Sequence, residues 1–263
     1  MQHQAIIQHI VSWLKQYAQQ ANSKGFVVGI SGGIDSAVVS ALAARTGLDV
    51  LLLEMPIRQQ AEQVNRAQEH IADLQEKFTN VRSLCVDLTP TFEQFEQTVA
   101  NEENANNRLL ALANSRSRLR MLTLYYYGQI NNLLVAGTGN KVEDFGVGFF
   151  TKYGDGGVDI SPIADLLKTQ VYELAKHLEI VSSIQNAVPT DGLWDEERTD
   201  EQQMGATYPE LEWAMSVPRD KQPSDFSGRE AEVLAIFRRL NTATQHKIQP
   251  IPVCQIPAEL FES

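Results

Sequence analysis

Apolar and polar positions alternate along this chain with two periods, and the period changes mark the elements. From Gln4 to Ala21, apolar residues recur at Ile6, Ile7, Ile10, Val11, Leu14 and Ala18, which predicts one face of a helix. Phe26–Ile30 is a short, wholly apolar run and reads as a buried strand, with a helix over Ala37–Arg45. DVLLLEM (Asp49–Met55) reads as a second buried strand that Pro56 ends. Gln59–Phe78 returns to helical spacing through Val64, Ala67, Ile71, Leu74 and Phe78. Val81–Leu88 follows as a third strand containing Cys85, read as a core residue, and Thr89-Pro90 opens another helical stretch. NEENANNR (Asn101–Arg108) reads as a polar loop, Ser115–Tyr127 as a helix ending near Gly128, and Asn132–Ala136 as a fourth strand. Asp165–Leu178 carries the next helical face.

Strands alternating with helices at this spacing predict a doubly wound parallel α/β sheet with helices on both faces. One domain covers residues 1–263, with a Pro-containing C-terminal extension from about residue 216, beyond which five of the ten prolines lie. In such sheets ligands bind at the carboxyl ends of the strands. Two polar, glycine-bearing loops occupy such ends: Ser31–Ser36 (SGGIDS) and Gly137–Asn140 (GTGN). Glycines let main-chain N–H groups approach a phosphate, and a helix N-terminus adds partial positive charge. Asp35 suits an anion site when a cation such as magnesium lies between it and the phosphates. The loop has neither the Lys-Ser/Thr ending of a Walker A sequence nor a G-x-G-x-x-G fingerprint. Phe149–Gly157 (FFTKYGDGG) is too rich in glycine and polar residues to be a packed element.

Composition narrows the function classes. Hydrophobic residues make up 43% of the 263, as in ordinary globular proteins. The net charge of −11 disfavours nucleic acid as the main partner. No apolar run approaches the roughly 20 residues that span a bilayer, and MQHQAIIQHI lacks a secretory pattern, so no membrane role and a cytoplasmic location are expected. The two cysteines, Cys85 and Cys254, have no metal or redox spacing, and His3, His9, His70 and His177 form no metal-spaced cluster and read as surface residues. Cations available to a nucleotide are Arg116, Arg118, Arg120, Lys141, Lys152 and Lys168.

SGGIDS resembles the pyrophosphate loop of the N-type ATP pyrophosphatases. Together with SRLRM (Ser117–Met121), GTGNKVED (Gly137–Asp144), GFFTKYGDGGVDISPI (Gly148–Ile163), LLKTQVYELA (Leu166–Ala175) and Pro189-Thr190, it makes most of the chain similar to the ammonia-dependent NAD synthetases. The resemblance implies a C–N ligase that adenylates the carboxylate of nicotinic acid adenine dinucleotide with ATP, releases pyrophosphate, and lets ammonia displace AMP. By position it implies that Asp35 and Glu143 hold Mg2+. It implies further that Ser31, Gly32, Gly33, Ile34, Asp35, Ser36, Thr138, Lys168 and Thr190 contact ATP, with Asp35 and Lys168 catalytic. Arg118, Lys152, Asp159, His246 and Lys247 match dinucleotide-binding positions. Arg118 and Arg120 have a solvated helix face as the rival reading, His246 equally suits an ordinary surface position, and Trp194 suits packing. The resemblance also implies a homodimer, and no amidase (glutaminase) domain is expected ahead of a first strand that begins near residue 26, so free ammonia is the expected donor. Thr138-Gly139-Asn140 and Pro189-Thr-Asp-Gly-Leu193 depart from the family pattern near the substrate. The same chemistry on nicotinic acid mononucleotide, another N-type pyrophosphatase, or a non-enzymatic ATP-binding module are the competing readings.

Overall fold

The computed structural model describes residues 1–99, 105–190 and 199–261. Helix α1 (His3–Gln20) leads into β1 (Gly25–Gly29), α2 (Ile34–Ala44), β2 (Asp49–Glu54), α3 (Ala61–Lys77), β3 (Val81–Cys85) and α4 (Thr89–Thr98). The long α5 (Ala105–Asn131) precedes β4 (Leu133–Val135), and a π-helical turn spans Lys141–Val147. Then come α6 (Lys168–His177), α7 (Ser182–Gln185), α8 (Asp200–Met204), α9 (Tyr208–Ser216) and α10 (Gly228–Ile248).

The four strands are parallel in the order β3-β2-β1-β4. Chain order reverses between β1 and β4, so a crevice opens at their carboxyl ends, where Ser31–Ser36 and Gly137–Asn140 emerge. Strand side chains alternate between two cores, as the pleat requires. Phe26, Val28, Val50 and Leu52 pack with α1, α2, α3 and α6, whereas Val27, Leu51, Leu53 and Val135 pack towards α4 and α5. Burial of the central strands on both faces is why β1 and β2 read as continuous apolar runs. A third cluster (Val142, Met204, Tyr208, Leu211, Val233, Leu234) fixes α8, α9 and α10 against the π-helical turn. It buttresses one wall of the crevice.

Several expectations need correction. The edge strand β3 buries Val81 alone; its remaining residues, Cys85 among them, are exposed, because an edge strand has a neighbour on one side. The α5 helix begins at Ala105, so Ala105–Arg108 is helix rather than loop; Asn101–Asn104 lie outside the described residues. Gly128 does not end α5, because it sits where a β-carbon would meet Leu133 O at 2.9 Å and allows the helix to lie close on β4. His70 is fully buried rather than on the surface. Trp194 lies outside the described residues.

Candidate active site

The phosphate-type loop is built as its residues suggest. Gly32 adopts φ +77°, and a β-carbon there would lie 2.4 Å from Gln63 O, so both conformation and space demand glycine. The Ser36 hydroxyl donates to Gly33 O (3.0 Å) and sits 3.1 Å from the Ser31 hydroxyl, which accepts from Gly33 N–H (3.2 Å). These bonds hold the loop in shape while the N-terminus of α2 faces the crevice. Asp35 lies in the first turn of that helix.

Opposite the loop, Asn140 caps the π-helical turn: its Oδ1 accepts from the N–H groups of Val142 and Glu143, both at 3.1 Å. Its Nδ2 reaches Asp35 Oδ1 at 3.2 Å. Asn140 therefore ties the two loops together and aims Glu143 at the crevice. Lys168, the first residue of α6 and 3% exposed at its side chain, places Nζ 2.5 Å from Asp35 Oδ2 and 2.8 Å from Glu143 Oε1. The single Tyr208 hydroxyl donates to Glu143 Oε1 at 2.6 Å, with Asp200 Oδ2 3.2 Å from the same oxygen, and its ring lies under Lys168 Nζ at 4.9 Å. Motif reading missed Asp200 and Tyr208, which lie in no recognisable string.

The electrostatics follow from burial and this shared ammonium. Burial disfavours the charged form of Lys168, but the two carboxylates outweigh it and hold the ammonium protonated well beyond the ordinary lysine range. The two carboxylates on that one ammonium move in opposite directions. For Asp35, burial, reinforced by the Glu143 charge, wins over Lys168 and raises the carboxyl. For Glu143, burial is overcome by the Lys168 charge and by hydrogen bonds from Lys168, Tyr208 and Asn140, and the carboxyl is lowered. Asp144 is raised well above the usual range by burial and by the charges of Asp155, Glu143 and Asp35.

A crevice of about 270 Å³ joins these parts. Ser31–Ser36, Thr138, Glu143, Lys168 and Thr190 line it, with Glu54, Gln59, Arg66 and Arg120 on the β2 and α3 side. Thr190 accepts from Gln63 Nε2 at 2.9 Å. Of the expected cations, Lys168 and Arg120 line the crevice. Lys141 pairs with exposed Asp165, and Arg116 stacks on Phe92.

The expected dinucleotide-binding residues gather elsewhere, around Phe149–Gly157. Lys152 Nζ donates to His246 O at 2.6 Å, Lys247 Nζ donates to Gly148 O and to Phe150 O, and Arg118 Nε donates to Lys152 O at 3.3 Å. The loop is anchored to α5 by a reciprocal pair, Ser117 Oγ to Asp155 Oδ1 (2.7 Å) and Asp155 N–H to Ser117 Oγ (2.8 Å). Asp159 stands apart from this cluster: its carboxylate accepts from Val135 N–H (2.8 Å) and from Tyr125 OH (3.0 Å), closing the end of β4.

The family model for NAD synthase matches residues 6–251. The chain belongs to the NAD synthase family. It is 37% identical to the NH3-dependent NAD+ synthetase of Syntrophomonas wolfei, covering 99% of each chain, and 39% identical to that of Mesoplasma florum, covering 81% of this chain and 84% of the other. Among solved structures it resembles the NMN synthetase of Francisella tularensis (32% identity, TM-score 0.82, 98% and 99% covered). It also resembles the NH3-dependent NAD synthetase of Campylobacter jejuni (25% identity, TM-score 0.77, 97% and 100% covered). The Rossmann-like α/β fold and the enzymatic nature expected from the sequence both stand, and the chain belongs among ATP-using ligases.

Proposed function

We propose that this enzyme converts the nicotinate carboxylate of nicotinic acid adenine dinucleotide to the amide of NAD, with ATP as co-substrate, Mg2+ as metal and free ammonia as nitrogen donor. The observation that carries the reading is the convergence of Asp35, Glu143 and Lys168 beside Ser31–Ser36. A carboxylate is a poor acceptor for ammonia. Attack of its oxygen on the α-phosphorus expels pyrophosphate and leaves an acyl-adenylate; ammonia then attacks the carbonyl carbon, AMP departs, and the nitrogen gives up a proton.

The donor set fits magnesium. Asp35 and Glu143 flank Lys168 Nζ and both line the crevice, and Mg2+ is commonly held by one or two carboxylates together with substrate phosphates. When bound there, the ion would neutralise charge on the leaving pyrophosphate. Lys168 supplies a permanent ammonium beside these carboxylates, and Ser31, Ser36 and the N-terminus of α2 supply hydrogen-bond donors to phosphate oxygens. Thr138 and Thr190 line the same crevice and are the further ATP contacts of this reading. Arg118, Lys152, His246 and Lys247, together with Asp159 at the end of β4, are the substrate-binding set of this reading.

The decisive experiment is amide formation by the purified protein with ATP, magnesium and ammonium, run with the dinucleotide and with nicotinic acid mononucleotide. A second reading, amidation of the mononucleotide, is favoured by the likeness to the Francisella tularensis NMN synthetase. Preference for the mononucleotide would replace the first reading by the second, and absence of amide from either would reject both. A homodimer is supported by Leu122, Tyr126 and Ile130, spaced four apart on α5 and each at least 60% exposed; sedimentation at micromolar concentration tests it. The two cysteines are unpaired and exposed, in keeping with a reducing cytoplasm. Among the described residues no helix is long and apolar enough to cross a membrane.

A further inference from the structure

Glu54 is the last residue of β2, and its carboxylate has no use in the chemistry described above. It is 6% exposed. Strand register pairs Gly29 with Leu53, so Glu54 stands level with Ile30, immediately beside the start of the Ser31–Ser36 loop. Glu54 lines both the crevice and a second cavity that it shares with Gln68 and Cys85. Its described partners are weak. Gln68 Nε2 lies 3.5 Å from Oε1 and the Cys85 thiol 3.7 Å from the same atom, both at the outer limit of a hydrogen bond. It forms no ion pair with a described residue.

A buried carboxylate without a cation is costly, so its retention in a ligand crevice points to a donor supplied by the ligand. That donor is not a phosphate, whose charge would be repelled. With the phosphates on Ser31–Ser36 and Lys168, ATP offers neutral donors on its nucleoside: the exocyclic 6-amino group and the ribose hydroxyls. The topology agrees. In dinucleotide-binding sheets of the same strand order, whose G-x-G-x-x-G loop is replaced here by SGGIDS, a carboxylate at the end of the second strand, about 20 residues past the glycine loop, accepts from a nucleoside ribose. The geometry points to Glu54 as a specificity-determining residue that recognises the nucleoside of ATP by accepting a hydrogen bond from one of these neutral donors. The inference rests on the ATP reading above.

The test is kcat/KM for wild type, Glu54→Leu and the near-isosteric Glu54→Gln with ATP, inosine triphosphate, 2′-deoxy-ATP and 3′-deoxy-ATP, with circular dichroism to check folding. Wild type is expected to prefer ATP by about 10- to 100-fold over the analogue that lacks the recognised donor, the range for hydrogen bonds to charged groups. Discrimination against inosine triphosphate identifies the 6-amino group as that donor, and discrimination against a deoxy analogue identifies the ribose. Glu54→Leu should bring that ratio to within about threefold of unity, and Glu54→Gln should lower it by at least about threefold, because a charge-assisted bond becomes a neutral one. A wild type indifferent to all three analogues, or variants that keep the wild-type ratio, overturns the assignment while leaving ATP as substrate. A wild type that releases no pyrophosphate from ATP overturns the ATP reading and this assignment together.

Discussion

Lys168 Nζ and Asp35 Oδ2 lie 2.5 Å apart although 133 positions separate them in the chain. The contact joins the first turn of α2 to the first residue of α6, and it brings a cation to the end of β1 without any ligand. A buried ion pair stabilises little on balance, because desolvation offsets most of the attraction, but removing one partner leaves the others uncompensated. Lys168→Met therefore leaves Asp35 and Glu143 facing each other with no shared ammonium. We expect kcat to fall by about 10²–10³, the usual loss of one preorganised electrostatic group, with the urea midpoint of unfolding also reduced. Steady-state amide formation and urea titration measure the two effects. Wild-type kcat in Lys168→Met would remove Lys168 from the reaction.

Tyr208 makes a sharper test, because its ring and its hydroxyl do different work. The ring is buried in the cluster of α8, α9 and α10, whereas the hydroxyl bridges Glu143 and Asp200. Tyr208→Phe keeps the packing and deletes one hydrogen bond to a charged group, worth about 1.5–3 kcal/mol. The expected result is a kcat lowered by about 10- to 100-fold with KM for ATP changed less than about threefold, since the hydroxyl orients Glu143 rather than touching substrate. A change confined to KM would instead make Tyr208 a binding residue.

The sheet and the phosphate-type loop were legible in the sequence because the signal there is local. Strands β1 and β2 are buried on both faces, so apolar runs mark them, and Gly32 and Gly33 follow directly. What escaped depends on contacts distant in sequence. Cys85 lies in an apolar-looking string but on an edge strand, and an edge is a property of strand order, not of composition. The polar start of α5, Ala105–Arg108, hides helix, because a helix can begin on polar residues before it reaches its apolar contacts. The hydrogen bond that Asp159 accepts from the N–H of Val135, 24 residues earlier, is likewise not written in the local string. Asp200 and Tyr208 carry no motif; α8 and α9 bring them to Glu143 through tertiary packing.

Gly139 probes the departure Thr138-Gly139-Asn140 from the family pattern. A β-carbon on Gly139 would lie 1.8 Å from Asp144 Oδ2 and 2.6 Å from Oδ1. The Asp144 carboxylate closes on the loop main chain, and any side chain at residue 139 must push it into the crevice. Gly139→Ala is expected to lower kcat/KM by about tenfold or more, since small displacements of site groups are amplified in rate. The thermal midpoint should change little, because Asp144 borders the open crevice and has room to rotate. Gly139→Ala with wild-type kcat/KM would mean that the Asp144 position is irrelevant to turnover.

His70 sets a pH dependence of stability remote from the site. Its Nε2 lies 2.8 Å from Ser40 Oγ, its Nδ1 has no hydrogen-bond partner among the described residues, and the residue is fully buried. Burial pushes the imidazole down to about 4, against the weaker opposing charge of Asp73. The sign follows from linkage. Above the ordinary histidine value of about 6.5, both the folded and unfolded chains carry a neutral ring and His70 contributes no pH dependence. Between about 6.5 and about 4 the unfolded chain takes up a proton that the folded chain refuses, so stability falls as pH falls. Across that window the loss is about 3 kcal/mol, from 1.36 kcal/mol per unit. Urea unfolding at pH 7.5 and pH 4.5 should show wild type losing about 2–3 kcal/mol more than His70→Gln, whose neutral amide does not titrate. Equal losses in the two proteins would show that His70 is not the residue through which acid destabilises this fold.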